Sequence, residues 1–191
     1  MKRLSALLAA VAICTAIATN ASAEANLALR GIGLKAGVVN PEDISSTLGF
    51  GLVADLGTVH PNVALESYAG YWSQTESEFG AEVGVKDFSF GSKAKYMFTT
   101  SNPSMQPFAG AGLGLHIVNA HVDVPGFSFG GITYPGTSAS DTEVRLGLDL
   151  GGGLRIDRGS QFAFLGEAWY SAVSDVSQFS VMVGAVYMFG R

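Results

Sequence analysis

Between residues 29 and 189 the chain repeats one device, apolar residues at every second position opposed by glycines, hydroxyls and charges. In 178–189 the odd positions are Phe179, Val181, Val183, Ala185, Tyr187 and Phe189, and the even ones include Gln178, Ser180 and Gly184. A strand sends such sets to opposite faces, so one face is continuously apolar. The same phase relation predicts strands over 29–39, 47–56, 63–73, 87–98, 107–119, 143–156 and 161–171. The sharpest case sets Phe88, Phe90, Ala94, Tyr96 and Phe98 against Asp87, Ser89, Gly91, Lys93 and Lys95. Between these strands, 40–43, 57–62, 99–106, 157–160 and 172–177 read as turns or short loops. Segment 74–85 is polar and acidic, and 120–142 carries two prolines and several glycines without a sustained period, so both read as loops, the second unusually long. Eight strands result, all-β, with both ends of the barrel-forming chain on the same side.

Ahead of this pattern stand Met1-Lys2-Arg3, an apolar run from Leu4 to Ala18, and Ala21-Ser22-Ala23. That is the layout of a secretory signal peptide over 1–23. Cys14, the only cysteine, lies inside it, so the mature chain offers neither disulfide nor thiolate chemistry. The remaining 24–191 fits one domain, and losing Lys2 and Arg3 takes the formal charge from -5 to -7. An acidic exported chain excludes nucleic acid as a partner. The 48% apolar composition contains no run in the mature chain long enough for a membrane helix. The chain is therefore either a secreted soluble β protein or a transmembrane barrel.

Alternation alone does not say which face is outside, since a soluble barrel would bury the apolar row. Three observations favour a barrel with the apolar face toward lipid. The polar face interleaves glycine with charges of both signs, as the narrow interior of an eight-stranded barrel requires. Lys35, Lys93, Lys95, Arg145 and Arg155 then share a lumen with Asp55, Glu66, Asp149 and Glu167, where each must pair or bear a prohibitive desolvation cost. Aromatics gather at both ends of the apolar face, and Phe88 to Phe98 covers about 33 Å along a strand, which a tilt of about 40° reduces to the roughly 25 Å of an apolar band. The longest connection, 120–142, lies opposite the termini, as extracellular loops do.

On these residues the chain resembles the small eight-stranded outer-membrane β-barrel proteins of Gram-negative bacteria, the group of the OmpA transmembrane domain and OmpX-like adhesion and resistance proteins. The likeness is carried by P-F-A-G-A-G-L-G-L at 107–115, G-G-G-L-R-I at 151–156 and V-G-A-V-Y-M-F at 183–189. It implies an antiparallel up-and-down transmembrane β-barrel in the outer membrane, monomeric, among outer-membrane lipid and lipopolysaccharide, delivered by the barrel assembly machinery. Tyr187 and Phe189 take the place of the assembly signal, although Gly190 and Arg191 follow where members end on the aromatic. No peptidoglycan-binding domain follows in the sequence, so cell-wall anchoring is not implied.

Candidate chemistry is sparse, and neither a cofactor, a metal nor a catalytic group is expected. His116, His121 and Asp123 raise the idea of a metal site or a lipid-A deacylase, but those deacylases place histidine and serine two apart on one strand face, and here Ile117 and Val118 follow His116. His60 precedes Pro61 and reads as a turn residue. The lumen charges read either as a structural plug of salt bridges or as an ion path. Phe127, Phe129, Ile132 and Tyr134 in the long loop read either as a contact surface for an extracellular ligand or as a lid over the barrel mouth. The expected role is a non-enzymatic structural or surface-interaction protein, with a narrow channel for ions or small hydrophobic solutes as the rival and a lipid-modifying enzyme after it.

Overall fold

The computed structural model describes residues 25–78 and 81–190; the proposed signal peptide lies outside them. Strands β1 (Asn26–Pro41), β2 (Thr47–His60), β3 (Val63–Glu78), β4 (Ala81–Met97), β5 (Met105–Val124), β8 (Thr137–Asp157), β9 (Phe162–Val173) and β10 (Gln178–Met188) close into one barrel, each antiparallel to its neighbours. Two short strands, β6 (Phe127–Phe129) and β7 (Ile132–Tyr134), form a separate hairpin between β5 and β8. Its tight turn uses Gly130 and Gly131 at φ +60° and +81°, a pair of left-handed positions that favours glycine. Closure is made by β1 against β10, from Gly31↔Met188 to Pro41↔Gln178. All strand edges within the ring are thereby satisfied, the condition for a sheet in hydrocarbon.

The ring is inside out relative to a soluble barrel. Leu34, Leu48, Phe50, Val144, Leu146 and Val183 are each more than half exposed on the outer wall, whereas Lys35, Glu66, Lys93, Lys95, Asp149 and Glu167 are buried within. Aromatic belts ring the outer wall, with Tyr96–Phe98, Phe162–Tyr187 and Tyr187–Phe189 in edge-to-face contact at 5.2, 5.5 and 5.8 Å toward the termini, and Phe88–Phe90 at 6.2 Å toward the other end.

The strands differ from the sequence expectation where they leave the membrane. Segment 74–85 is not a loop, since β3 runs to Glu78 and β4 starts at Ala81, paired throughout. Most of 120–142 is likewise strand, with β5 and β8 paired up to Val124↔Thr137. The turn expected at 57–62 shrinks, as β2 continues to His60 through register irregularities beside Gly57. By contrast β2 pairs β3 only as far as Gly49↔Trp72, and β9 reaches β8 only from Gly147↔Val173. Strands β3, β4, β5 and β8 therefore stand above the rim as a four-stranded sheet six residues tall (73–78, 81–86, 119–124 and 137–142), roughly 20 Å along the strands, with β8 lacking its β9 neighbour from 137 down to 146.

The missed strands have a physical signature, a reversal of phase. Within the membrane the even residues of β4, Phe88 and Phe90, are the apolar ones; above it the odd residues Val83 and Val85 are. In β5 the odd Leu113, Leu115 and Ile117 give way to the even Val122 and Val124. Backbone geometry continues, but the solvent outside the wall changes from lipid to water, so the apolar set moves from the convex to the concave face.

Candidate functional site

Two places concentrate chemistry: the lumen and the outer rim with its projecting sheet. The lumen is layered. At its middle the Lys35 ammonium donates to Glu167 at 2.6 Å, and Lys95 donates to Glu66 at 2.6 Å and to the second oxygen of Glu167 at 3.0 Å. Alternation along β1, β3, β4 and β9 turns all four side chains inward, and lumenal glycines make the room: a Cβ on Gly51 would lie 2.9 Å from the Lys35 side chain and one on Gly112 2.7 Å from that of Lys93. Lys93 lies 4.4 Å over the Tyr68 ring and 4.1 Å over Trp169, with Asp149 at 3.9 Å. Asp149 in turn accepts from Tyr68 at 2.7 Å and Ser171 at 2.5 Å. Three ammonium groups thus meet three carboxylates, and this layer is neutral.

Toward the termini lies an apolar layer of Val53, Ala163, Leu165, Val186 and Met188, beyond which Arg155 donates to Asp55 at 2.8 Å and approaches Asp157 at 3.7 Å. This pair borders an inner-mouth cavity of about 310 Å³ that also includes Arg30. Toward the outer end the lumen is stopped by Val39, Trp72, Val118, Val176 and Met182. Just beneath, His116 Nδ1 and Asp87 Oδ2 are 2.8 Å apart, and Gln178 donates to the same Asp87 oxygen at 3.4 Å. Among the described residues His116 Nε2 has no hydrogen-bond partner, and it would lie 2.7 Å from a Cβ at Gly147. Internal spaces of about 50 and 20 Å³ flank the charged layer, room for at most a few waters. Wider grooves of about 660 and 500 Å³ lie on the outer wall around Leu34, Leu52 and Ala69 and face hydrocarbon.

Of the nine charges expected to share the lumen, Lys35, Glu66, Lys93, Lys95, Asp149 and Glu167 meet in the middle layer, while Asp55 and Arg155 pair near the inner mouth. Arg145 stands apart at the outer rim, donating to Glu143 at 2.7 and 3.0 Å and to the Ser174 carbonyl at 2.6 Å. Sequence reasoning missed Asp87 as the partner of His116, and Tyr68 and Trp169 as the walls around Lys93. Tyr187 and Phe189 lie on and just beyond the closing strand at the inner belt. The backbone of 127–134 forms the β6–β7 hairpin, but the side chains of Phe127, Phe129, Ile132 and Tyr134 lie outside what the structure describes.

At the outer rim, the loops 42–46 and 174–177 are joined by Glu42 N donating to Ser177 O at 2.7 Å. Each loop is also tied to one edge of the projecting sheet, Ser45 donating to Glu76 on β3 and Arg145 of β8 reaching Ser174 and Asp175. The sheet's concave face carries in-register rows across β3, β4, β5 and β8: Glu76–Val83–Val122–Ala139, then Gln74–Val85–Ala120–Asp141, then Trp72–Asp87–Val118–Glu143. Its convex face presents Thr75, Ser77, Lys86, Asn119, Ser138, Ser140 and Thr142. Among the described residues no group of histidines, cysteines and carboxylates is arranged to hold a metal ion.

The fold is that of known outer-membrane barrels. Neisserial surface protein A aligns at 15% identity with a TM-score of 0.62, covering 86% of this chain and all of that one. A major outer membrane protein from Thermus thermophilus aligns at 11% identity and a TM-score of 0.58, over 83% of this chain and 99% of its own. Ail, the attachment invasion locus protein of Yersinia pestis, aligns at 19% identity and a TM-score of 0.51, over 83% and 95%. No curated protein sequence matches. The outer membrane protein beta-barrel domain model matches residues 6–189, and with the inside-out eight-stranded ring this places the chain in that family, as an outer-membrane β-barrel protein.

Proposed function

We propose that this protein is a non-enzymatic, monomeric surface-interaction protein, in which a closed barrel serves as a membrane base and the sheet above the rim makes the contacts. The projecting sheet carries this reading: four strands continue well past the aromatic belt, with β3 and β8 leaving open edges at 73–78 and 137–146. A purely structural barrel has no use for paired strands in water, whereas an open sheet edge or face is a common way to engage an extended partner. The lumen supports the same division of labour, since side chains and a paired charged layer occupy its middle.

The partner's chemistry differs from that of one neighbour. Ail has been seen in complex with the heparin analogue sucrose octasulfate. Here the outer segments 42–46, 74–86, 119–145 and 174–177 hold nine carboxylates against Lys86 and Arg145, so a polysulfated ligand would be repelled.

The test compares the full barrel with a trimmed one, in which Asn-Gly turns replace 75–84 and 121–140, joining the register pairs Gln74↔Val85 and Ala120↔Asp141. Both should insert and show heat-modifiable gel migration, and only the full barrel should promote adhesion of the cells that display it. Equal adhesion, together with a steady single-channel conductance that changes on Lys93→Met or Glu66→Gln, would make the narrow channel the function instead.

A further inference from the structure

We infer that the concave, valine-lined face of the projecting sheet is a docking site for a basic amphipathic polypeptide segment. This rests on the surface-interaction reading above and specifies the partner's chemistry. Val83, Val122 and Val124 remain 50%, 41% and 44% exposed on that face, although it stands beyond the lipid. A sheet meant for water on both sides carries polar residues across both, whereas the concave face here sets Val83, Val85, Val122 and Val124 on its two central strands and confines its polar residues to the flanking β3 and β8, at Gln74, Glu76 and Asp141. The apolar surface is also continuous, because Val85 packs on the cluster of Val39, Trp72, Val118, Val176 and Met182 that floors the bowl. An exposed apolar surface of this kind marks an interaction site.

The surrounding charge selects the occupant. Glu76 on the β3 edge and Asp141 on the β8 edge frame the valine rows, with Asp43 and Asp175 on the two rim loops. The rim cation Arg145 is already engaged by Glu143, the Ser174 carbonyl and, at 3.8 Å, Asp175, which leaves Glu76 and Asp141 as the main charges of the frame. A segment with apolar residues on one face and lysine or arginine on its flanks would cover the valines and neutralise the frame at once. An acidic or sulfated partner would meet uncompensated carboxylates, and a neutral apolar one would leave the frame unused.

The test uses the full barrel in nanodiscs of zwitterionic phosphatidylcholine, with empty nanodiscs as reference for membrane binding. Fluorescence anisotropy follows short labelled peptides of alternating lysine and valine, glutamate and valine, or lysine and serine. The lysine–valine peptide should bind the barrel above the reference, more weakly as salt rises, and the other two should not. Val83→Thr with Val122→Thr and Val124→Thr keeps strand propensity and should weaken binding about tenfold or more. Glu76→Gln with Asp141→Asn should weaken it and flatten the salt dependence, and Ser138→Val with Ser140→Val on the convex face should leave it unchanged. Heat-modifiable migration checks that each variant is folded. Unchanged binding by either concave-face variant, or equal binding of the glutamate–valine peptide, would overturn the inference. If the peptides fail while the trimmed barrel still loses adhesion, the inferred chemistry falls and the surface-interaction role stands.

Discussion

Replacing Glu167 with glutamine tests whether the lumen charges hold the barrel together as a balanced set. Glu167 is 4% exposed and is the carboxylate that joins Lys35, at 2.6 Å, to Lys95, at 3.0 Å. Glutamine preserves shape but leaves three lysines facing two carboxylates, and Lys35 has no other carboxylate within ion-pair distance among the described residues. The adjacent spaces of about 50 and 20 Å³ admit at most a few waters, so the stranded ammonium stays poorly hydrated. Removing one partner of a buried pair costs about 3–5 kcal/mol, and Glu167→Gln should fall in that range. Glu66→Gln should cost less, about 1.5–3 kcal/mol, because Lys95 keeps Glu167. Adding Lys35→Met to Glu167→Gln restores neutrality and should recover most of the loss. The assay is equilibrium urea unfolding in detergent or lipid, read by the emission of Trp72 and Trp169, the chain's only tryptophans and both buried in the lumen. A Glu167→Gln cost below about 1 kcal/mol, or a double variant no more stable than the single, would refute the reasoning.

Other perturbations separate the remaining elements. A Cβ on Gly114 would lie 2.2 Å from the Tyr68 hydroxyl, so Gly114→Ala should cost about 1–3 kcal/mol, and the double variant with Tyr68→Phe should cost less than the sum of the singles in a double-mutant cycle. Leu34→Arg, on the lipid-facing wall, should destabilise by about 2–4 kcal/mol, whereas Val83→Arg above the belt should change folding by less than about 0.5 kcal/mol; equal costs would misplace the membrane boundary. Cys14, the only native cysteine, lies in the proposed signal peptide, so on its removal Ser140→Cys and Ser160→Cys can each be labelled alone on intact cells with a membrane-impermeant maleimide; only the first should react.

The eight strands and their inside-out sense were legible because the period-2 signal is strong wherever one solvent lies outside. Phe88, Phe90, Ala94, Tyr96 and Phe98 all report lipid on one face. The projecting sheet was not legible for a related reason: a window spanning Val83 to Phe90 averages two opposite phases and looks aperiodic. The Gly130-Gly131 pair flanked by Phe-Ser-Phe and Ile-Thr-Tyr was a hairpin signal within the supposed loop. The lumen's charged residues could be named from alternation, but their pairing could not. Whether Lys95 meets Glu66, or His116 meets Asp87, depends on register and on side chains crossing the barrel, for which spacing along one strand holds no information. Arg145 shows the same limit: its face is correct for the lumen, while its height sets it at the rim.

The seam between the first and last strands also fixes an order of events. Eleven residue pairs join β1 to β10, and at Gly33 a Cβ would lie 2.4 Å from the Ala185 carbonyl, so the two strands meet backbone to backbone. The strand that emerges earliest during synthesis therefore has to wait for the one that emerges last. Until β10 arrives, any partial sheet carries two unsatisfied edges that hydrocarbon will not tolerate, so insertion cannot proceed strand by strand with the chain still growing. A chain cut before Gln178 would have seven of its eight staves and no barrel.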